Sequence, residues 1–214
     1  MRHVPGGAAV LDWGTKLTET CLALLRHGHT AWNRAGRLQG RIDEPLDGEA
    51  RAHLGRLCLP DEFELATLVS SPLARATETA SIVGRRVPLV EPALTEMAWG
   101  TWEGRRGLDL LSEPGSGFRH VEDWGWNFQP PGGETPRMVL DRLKPWLATI
   151  AGTVVAVTHV GVMRVILAKA TGWNFDGPAP FRVKRDRLYR IGVRRDGRLA
   201  FDGKPVRLVE AARP

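Results

Sequence analysis

Short apolar runs alternate with stretches of helical period along most of this chain. Residues 21–25 are a continuous apolar run of strand length, 65–70 and the shorter 87–90 are mainly apolar, and 153–157 is almost entirely β-branched. Such runs lack the polar alternation of a half-exposed strand, which predicts strands covered on both faces. Between them the period changes. Ala50, Leu54 and Leu57 share one face of a helix over 48–57, and Ala76, Ala80 and Val83 share one over 73–83, with Pro72 at its entry. Thr135 and Pro136 open a helix toward Ile150 that must kink or strain at Pro145, 160–170 follows the β-branched run, and Thr30 can cap a helical turn reaching Asn33. Strands alternating with helices predict an α/β fold, a three-layer α/β/α sandwich whose mainly parallel central sheet carries helices on both faces. Near the C-terminus, 187–193 and 199–201 flank Arg195-Asp196-Gly197-Arg198, where Asp-Gly signals a hairpin. An antiparallel C-terminal hairpin should therefore close one edge of the sheet.

Composition narrows the class. The 214 residues suit one domain, taken as 21–214, behind a leader of residues 1–20 that mixes Pro, Gly, Asp and Lys without the apolar stretch of a secretory signal. No run of about 18 apolar residues is present, so no membrane span is expected. Cys21 and Cys58 have no metal-type spacing and read as free core thiols of a reducing cytoplasm. Charge is unevenly placed: from Arg164 onward there are thirteen Lys and Arg against five Asp and Glu, and before it seventeen against nineteen. The basic run 182–190 lies along a predicted strand, which reads as a solvated face with a shallow field for anionic substrates and not as a nucleic-acid surface.

The candidate chemistry sits where strands end. The first strand delivers Arg26-His27-Gly28 onto a glycine turn, the β-branched strand delivers Thr158-His159, and Ser70-Ser71 ends a third whose following helix carries Arg75. Ligands of open α/β sheets bind at the carboxyl ends of strands, so these groups should share one site. Two guanidiniums and two imidazoles suit a phosphate dianion. His27-Gly28-His29 alone can start a metal site, but His53 and His120 lack supporting spacing, and no metal is expected.

Over about residues 22–172 the chain resembles the histidine phosphatase superfamily, the phosphoglycerate mutase-like proteins. The resemblance rests on Leu25-Arg26-His27-Gly28-His29-Thr30-Ala31-Trp32-Asn33, Gly36-Arg37-Leu38-Gln39-Gly40 with Asp43-Glu44-Pro45-Leu46, Ser70-Ser71-Pro72-Leu73-Ala74-Arg75-Ala76, Leu94-Thr95-Glu96 with Gly100-Thr101-Trp102-Glu103-Gly104, Pro131-Gly132-Gly133-Glu134 and Thr158-His159. It implies that His27 is a nucleophile forming a phosphohistidine, that Arg26, Arg75 and His159 stabilise the transferring phosphoryl group, and that Glu96 is the proton donor. It places Asn33 and Gln39 on the phosphate, joined by the backbone N–H of Val160 at a helix start. Glu103 is the runner-up carboxylate, but its place in the Trp102-Glu103-Gly104 turn reads first as a structural cap. His29 stands where Glu or Gln is commoner and Val160 where Gly is frequent, departures that bear on substrate choice.

The activity implied is a metal-independent phosphomonoesterase of histidine acid phosphatase type, acting on small phosphate esters without a cofactor. Trp102-Glu103-Gly104 and the short 103–131 segment favour a phosphatase over a cofactor-dependent phosphoglycerate mutase. A non-catalytic phosphate-binding module is the remaining alternative. Expected partners are a small phosphorylated substrate, no nucleic acid and no membrane, with monomer and homodimer both open. Trp124 and Trp126, in the irregular segment 115–130, are expected to cover the pocket.

Overall fold

The computed structural model describes residues 20–194 and 196–211. The expected leader lies outside these residues except for Thr20, which begins the first strand, and so does Arg195 of the hairpin turn. The strands are β1 (Thr20–Arg26), β2 (Leu57–Cys58), β3 (Thr67–Ser70), β4 (Leu89–Val90), β5 (Thr153–Thr158), β6 (Arg187–Val193), β7 (Leu199–Phe201), β8 (Val206–Arg207) and β9 (Val209–Glu210). The helices are α1 (Ala31–Arg34), α2 (Gly48–Leu54), α3 (Ala74–Gly84), α4 (Gly107–Ser112), α5 (Pro136–Thr149) and α6 (Val160–Thr171). The main sheet runs β4-β3-β5-β1-β6-β7, with β8 also on β6. Pairing is parallel from β4 to β1 and antiparallel beyond it.

Period-two alternation along β1 builds the layers. Leu22 and Leu24 point into a core shared with α5 and α6, while Ala23 and Leu25 point into one shared with α2 and α3. All four are at most 1% exposed, so each leucine contributes about 1.5–3 kcal/mol of burial. The same register fixes the site, because Arg26 pairs with Thr158 and the His27 N–H donates to the Thr158 carbonyl at 3.0 Å. Both chains therefore leave the sheet side by side, each delivering a histidine.

Five local expectations change. The strand over 87–90 is only Leu89–Val90 and is exposed instead of covered on both faces, because β4 is the edge of the sheet. The helix over 48–57 ends at Leu54, because Leu57 and Cys58 are drawn into pairing with Val209 and Glu210. The strand over 65–70 begins at Thr67, and Leu65 is 99% exposed. The antiparallel element is more than an edge: β6 lies against β1 and only β7 is terminal. Residues 182–186 precede β6 and are not strand, so the basic run is not one solvated face. Pro145 lies inside α5 with its ring exposed, and the helix continues through it to Thr149. Cys21 and Cys58 are free thiols, but half-buried and outside the core. No helix among the described residues is long and apolar enough to cross a membrane.

Candidate active site

His27 stands on the turn after β1, 3% exposed, with Nδ1 2.7 Å from the Gly28 carbonyl. A carbonyl only accepts, so that contact puts the proton on Nδ1 and leaves Nε2 as a lone pair. Burial, reinforced by His159, Arg75, Arg26 and Arg185, holds the His27 pKa well below its ordinary value. The ring is neutral at working pH. A Cβ at Gly28 would come within 2.8 Å of the Leu54 Cδ1 methyl and 3.1 Å of Leu46 Cδ2, so a larger residue beside His27 requires those side chains to shift. The His159 ring lies 5.1 Å from that of His27, and burial together with Arg75, Arg142 and Arg26 likewise keeps it neutral.

The phosphate-directed groups are woven into the surrounding backbone. Arg75, fully buried on α3, donates to the Gly40 carbonyl at 2.7 Å and the Ile42 carbonyl at 3.0 Å, so it also fastens the 36–46 loop. Glu103 fastens the other side, accepting from the backbone N–H groups of Arg41, Ile42 and Trp99, which is a cap and not a catalytic placement. Thr30 caps α1 and donates to Gln39 Oε1 at 2.9 Å, while Asn33 Nδ2 donates to the same oxygen at 3.1 Å. This leaves Gln39 Nε2 as a buried donor without a partner, and Arg26 Nε, Arg75 Nε and His159 Nδ1 are in the same condition among the described residues. Buried polar atoms are seldom left unpaired, so four orphaned nitrogens in one neighbourhood mark a place for an anion.

Glu96 faces this cluster from the segment after Leu94, 2% exposed. Its oxygens accept from the N–H groups of Met97 at 2.8 Å and Gly161 at 3.2 Å. Burial raises its pKa above the ordinary carboxylate value, outweighing those hydrogen bonds and the nearby Arg75 and Arg26. The approach of the α6 N-terminus depends on Gly161, where a Cβ would fall 2.5 Å from Glu96 Oε1. A cavity of about 390 Å³ opens here, lined by Arg26, His27, Asn33, Gln39, Glu96 and Val160. Arg75 and His159 lie behind this lining.

Several contributors were not anticipated. Arg37, Arg119 and Arg164 also line the cavity, with Leu38, Trp99 and Phe118 as apolar wall. Arg164 stands one turn after Val160, and burial lowers its pKa. Arg185 donates to the His27 carbonyl at 3.1 Å and to Asn33 Oδ1 at 2.8 Å. Burial and then Arg26 lower its pKa to about 9. The only available hint was an arginine preceding β6 in the basic run. Trp124 does line the cavity, packed edge-on against Trp99 at 5.4 Å. Trp126 does not: its indole N–H binds Asn174 Oδ1 at 3.0 Å and its ring meets Phe175. A larger cavity, about 1120 Å³, is elsewhere, lined by Thr20, Lys144, Ile150, Gly152, Lys169 and Leu199 among others, with no histidine or carboxylate.

A family model for the histidine phosphatase superfamily (branch 1) matches residues 22–201. The adenosylcobalamin/alpha-ribazole phosphatase of Escherichia coli K12 is 30% identical over 174 residues, 76% of this chain and 84% of that protein. The glucosyl-3-phosphoglycerate phosphatase of Mycolicibacterium vanbaalenii is 32% identical over 173 residues, 72% of this chain and 76% of that one. Among solved structures, the phosphoglycerate mutase of Thermus thermophilus superposes with a TM-score of 0.65 at 32% identity, over 89% of this chain and 99% of that one.

Proposed function

The chain belongs to the histidine phosphatase superfamily and is a phosphatase, and we propose that it hydrolyses small phosphate monoesters at His27 without a metal, as an enzyme of histidine acid phosphatase type. One observation carries the reading: a buried neutral histidine, its proton held on Nδ1, opens into a cavity with a buried carboxyl of raised pKa across from it. A neutral nucleophile and a protonated acid are the two states that phosphomonoester cleavage requires.

The ester phosphate enters among Arg26, Gln39, Asn33 and the α6 N-terminus, with Arg75 and His159 behind. His27 Nε2 attacks phosphorus in line, the bond from phosphorus to the ester oxygen breaks, and Glu96 gives its proton to the departing alkoxide. Arginine charge on the equatorial oxygens provides the stabilisation that phosphoryl transfer needs. Glu96, now a carboxylate, takes a proton from water, whose oxygen attacks phosphorus. The N–P bond breaks, phosphate leaves, and both residues return to their starting states. The unpaired thiols Cys21 and Cys58 support a cytoplasmic enzyme.

The testing experiment measures inorganic phosphate released from a panel of esters in chelator, for the wild type and His27→Ala. Release that disappears in the variant supports the reading. Release that persists in the variant, or that chelator abolishes, overturns it. The Thermus relative's name motivates a second arm with 3-phosphoglycerate, with and without its bisphosphate. Conversion to 2-phosphoglycerate without net phosphate release would move the chain to the mutases.

A further inference from the structure

The motif Ser70-Ser71-Pro72 has no part in the chemistry above, yet Ser71 touches the second histidine. Ser71 sits just past β3, fully buried, with Oγ 2.7 Å from His159 Nε2. The backbone holds it: its N–H donates to the Val157 carbonyl at 3.0 Å, and its carbonyl accepts from the Ser70 hydroxyl at 2.9 Å. The Leu73 N–H, at 3.4 Å, already occupies one lone pair of the Ser71 Oγ. A hydroxyl has one proton to give. Among the described residues its acceptor is His159 Nε2, and the reverse arrangement would leave that proton without an acceptor on a fully buried side chain. His159 Nδ1, the other ring nitrogen, is buried and unpartnered.

We propose that Ser71 is a positioning residue that holds His159 as the Nδ1–H tautomer, so that the two histidines present opposite faces of one chemistry to the same phosphoryl group. His27, with a carbonyl acceptor behind Nδ1, offers a lone pair at Nε2. His159, with a hydroxyl donor behind Nε2, offers an N–H at Nδ1. Rings whose centres lie 5.1 Å apart both reach a phosphoryl group between them. His159 then acts as a fixed neutral donor that exchanges no proton during turnover, leaving Glu96 the only proton carrier. The catalytic consequence rests on the phosphohistidine reading, whereas the tautomer is a property of the free protein.

The test has two arms on the full chain. In the first, the ring nitrogens of His159 are observed by long-range proton–nitrogen correlation in ¹⁵N-labelled protein, with the signal assigned by its loss in His159→Asn. The wild type is expected to show a protonated Nδ1 and a bare Nε2, and Ser71→Ala to lose that single pattern. A wild type protonated on Nε2 overturns the proposal, as does an unchanged spectrum in Ser71→Ala. In the second, Ser71→Ala is expected to lower kcat about 10- to 100-fold with KM little changed, and Ser71→Thr, which keeps the hydroxyl, to recover most of it. Ser71→Ala at full kcat overturns the positioning role. If the wild type releases no phosphate from any ester, the phosphatase reading fails while the spectrum still decides the tautomer.

Discussion

The floor of the cavity and its outer wall are held by different balances of backbone bonding and ring packing. On the floor, His27, Arg75, Glu96 and Ser71 are each gripped by backbone carbonyls or N–H groups, and all are nearly inaccessible to solvent. The wall comes from the irregular segment 118–128, where backbone bonds such as Gly125 N–H to the Phe175 carbonyl at 2.9 Å hold the chain and the Trp124 indole N–H reaches the Arg119 carbonyl at 3.0 Å, but the side chains are placed mainly against one another as rings. Trp102 meets Phe118 at 5.0 Å, Trp124 meets Phe128 at 5.1 Å, and the Arg119 guanidinium lies 4.2 Å over Phe128. Backbone partners stay when a side chain is changed, but ring partners do not. Floor variants should therefore lose chemistry and keep the fold, and wall variants should lose stability or ester preference and keep chemistry.

The largest effect expected is that of His27→Ala, which removes the nucleophile and lowers kcat by at least about 10⁴-fold. Its melting temperature should change far less than kcat, since the side chain gives up a single hydrogen bond, that of Nδ1 to the Gly28 carbonyl. Turnover surviving within tenfold would move the covalent step away from the floor.

Glu96→Gln comes next, with a kcat loss of about 10²–10⁴-fold and a pH signature that separates acid chemistry from mere packing. The folded protein raises the Glu96 pKa, so the folded state holds its proton more tightly than the unfolded chain. The resulting stability is complete below the unfolded value of 4.5 and is lost as pH rises through the folded value. Glutamine carries no such dependence. Thermal melts should thus show Glu96→Gln gaining on the wild type from pH 4 to pH 8, and a constant difference would mean that the carboxyl is already ionised in the fold.

How much of this was legible follows the same division. The floor could be read because its residues sit at strand ends and helix starts, where apolar runs and capping signals mark the boundaries. Arg26, His27, Arg75 and His159 were placed that way. Glu96 was not, since it follows a single turn of helix and its position came from the resemblance alone. Arg185 was misplaced, because nothing in 182–190 distinguishes a strand from a loop returning to the His27 carbonyl. Trp124 and Trp126 are two residues apart, yet only one lines the cavity. In irregular backbone no period relates spacing to side. The pairing of β2 with β9 spans about 150 residues and left no local trace.

The wall should respond to Trp124→Ala mainly through stability. The indole is 7% exposed and packs against both Trp99 and Phe128, and truncating such a residue costs about 3–5 kcal/mol. Denaturant unfolding measures that loss. On a minimal ester the surviving folded fraction should keep kcat within a few-fold, with the changes falling on KM for larger esters. A kcat loss as large as that of Glu96→Gln would dissolve the distinction between floor and wall.

Trp126→Ala is the smallest effect and the sharpest control. Trp126 shares the segment and the residue type of Trp124, but it faces Asn174 and Phe175 instead of the cavity. It is more accessible than Trp124, so its truncation should cost less on unfolding, and the ratios of kcat/KM across an ester panel should match those of the wild type. If instead both tryptophan variants shifted the panel in the same direction, ester preference would be a property of the whole segment moving as a unit. If only Trp124→Ala shifts it, preference is set by direct contact with the leaving group, and the wall can be varied one residue at a time without disturbing the floor.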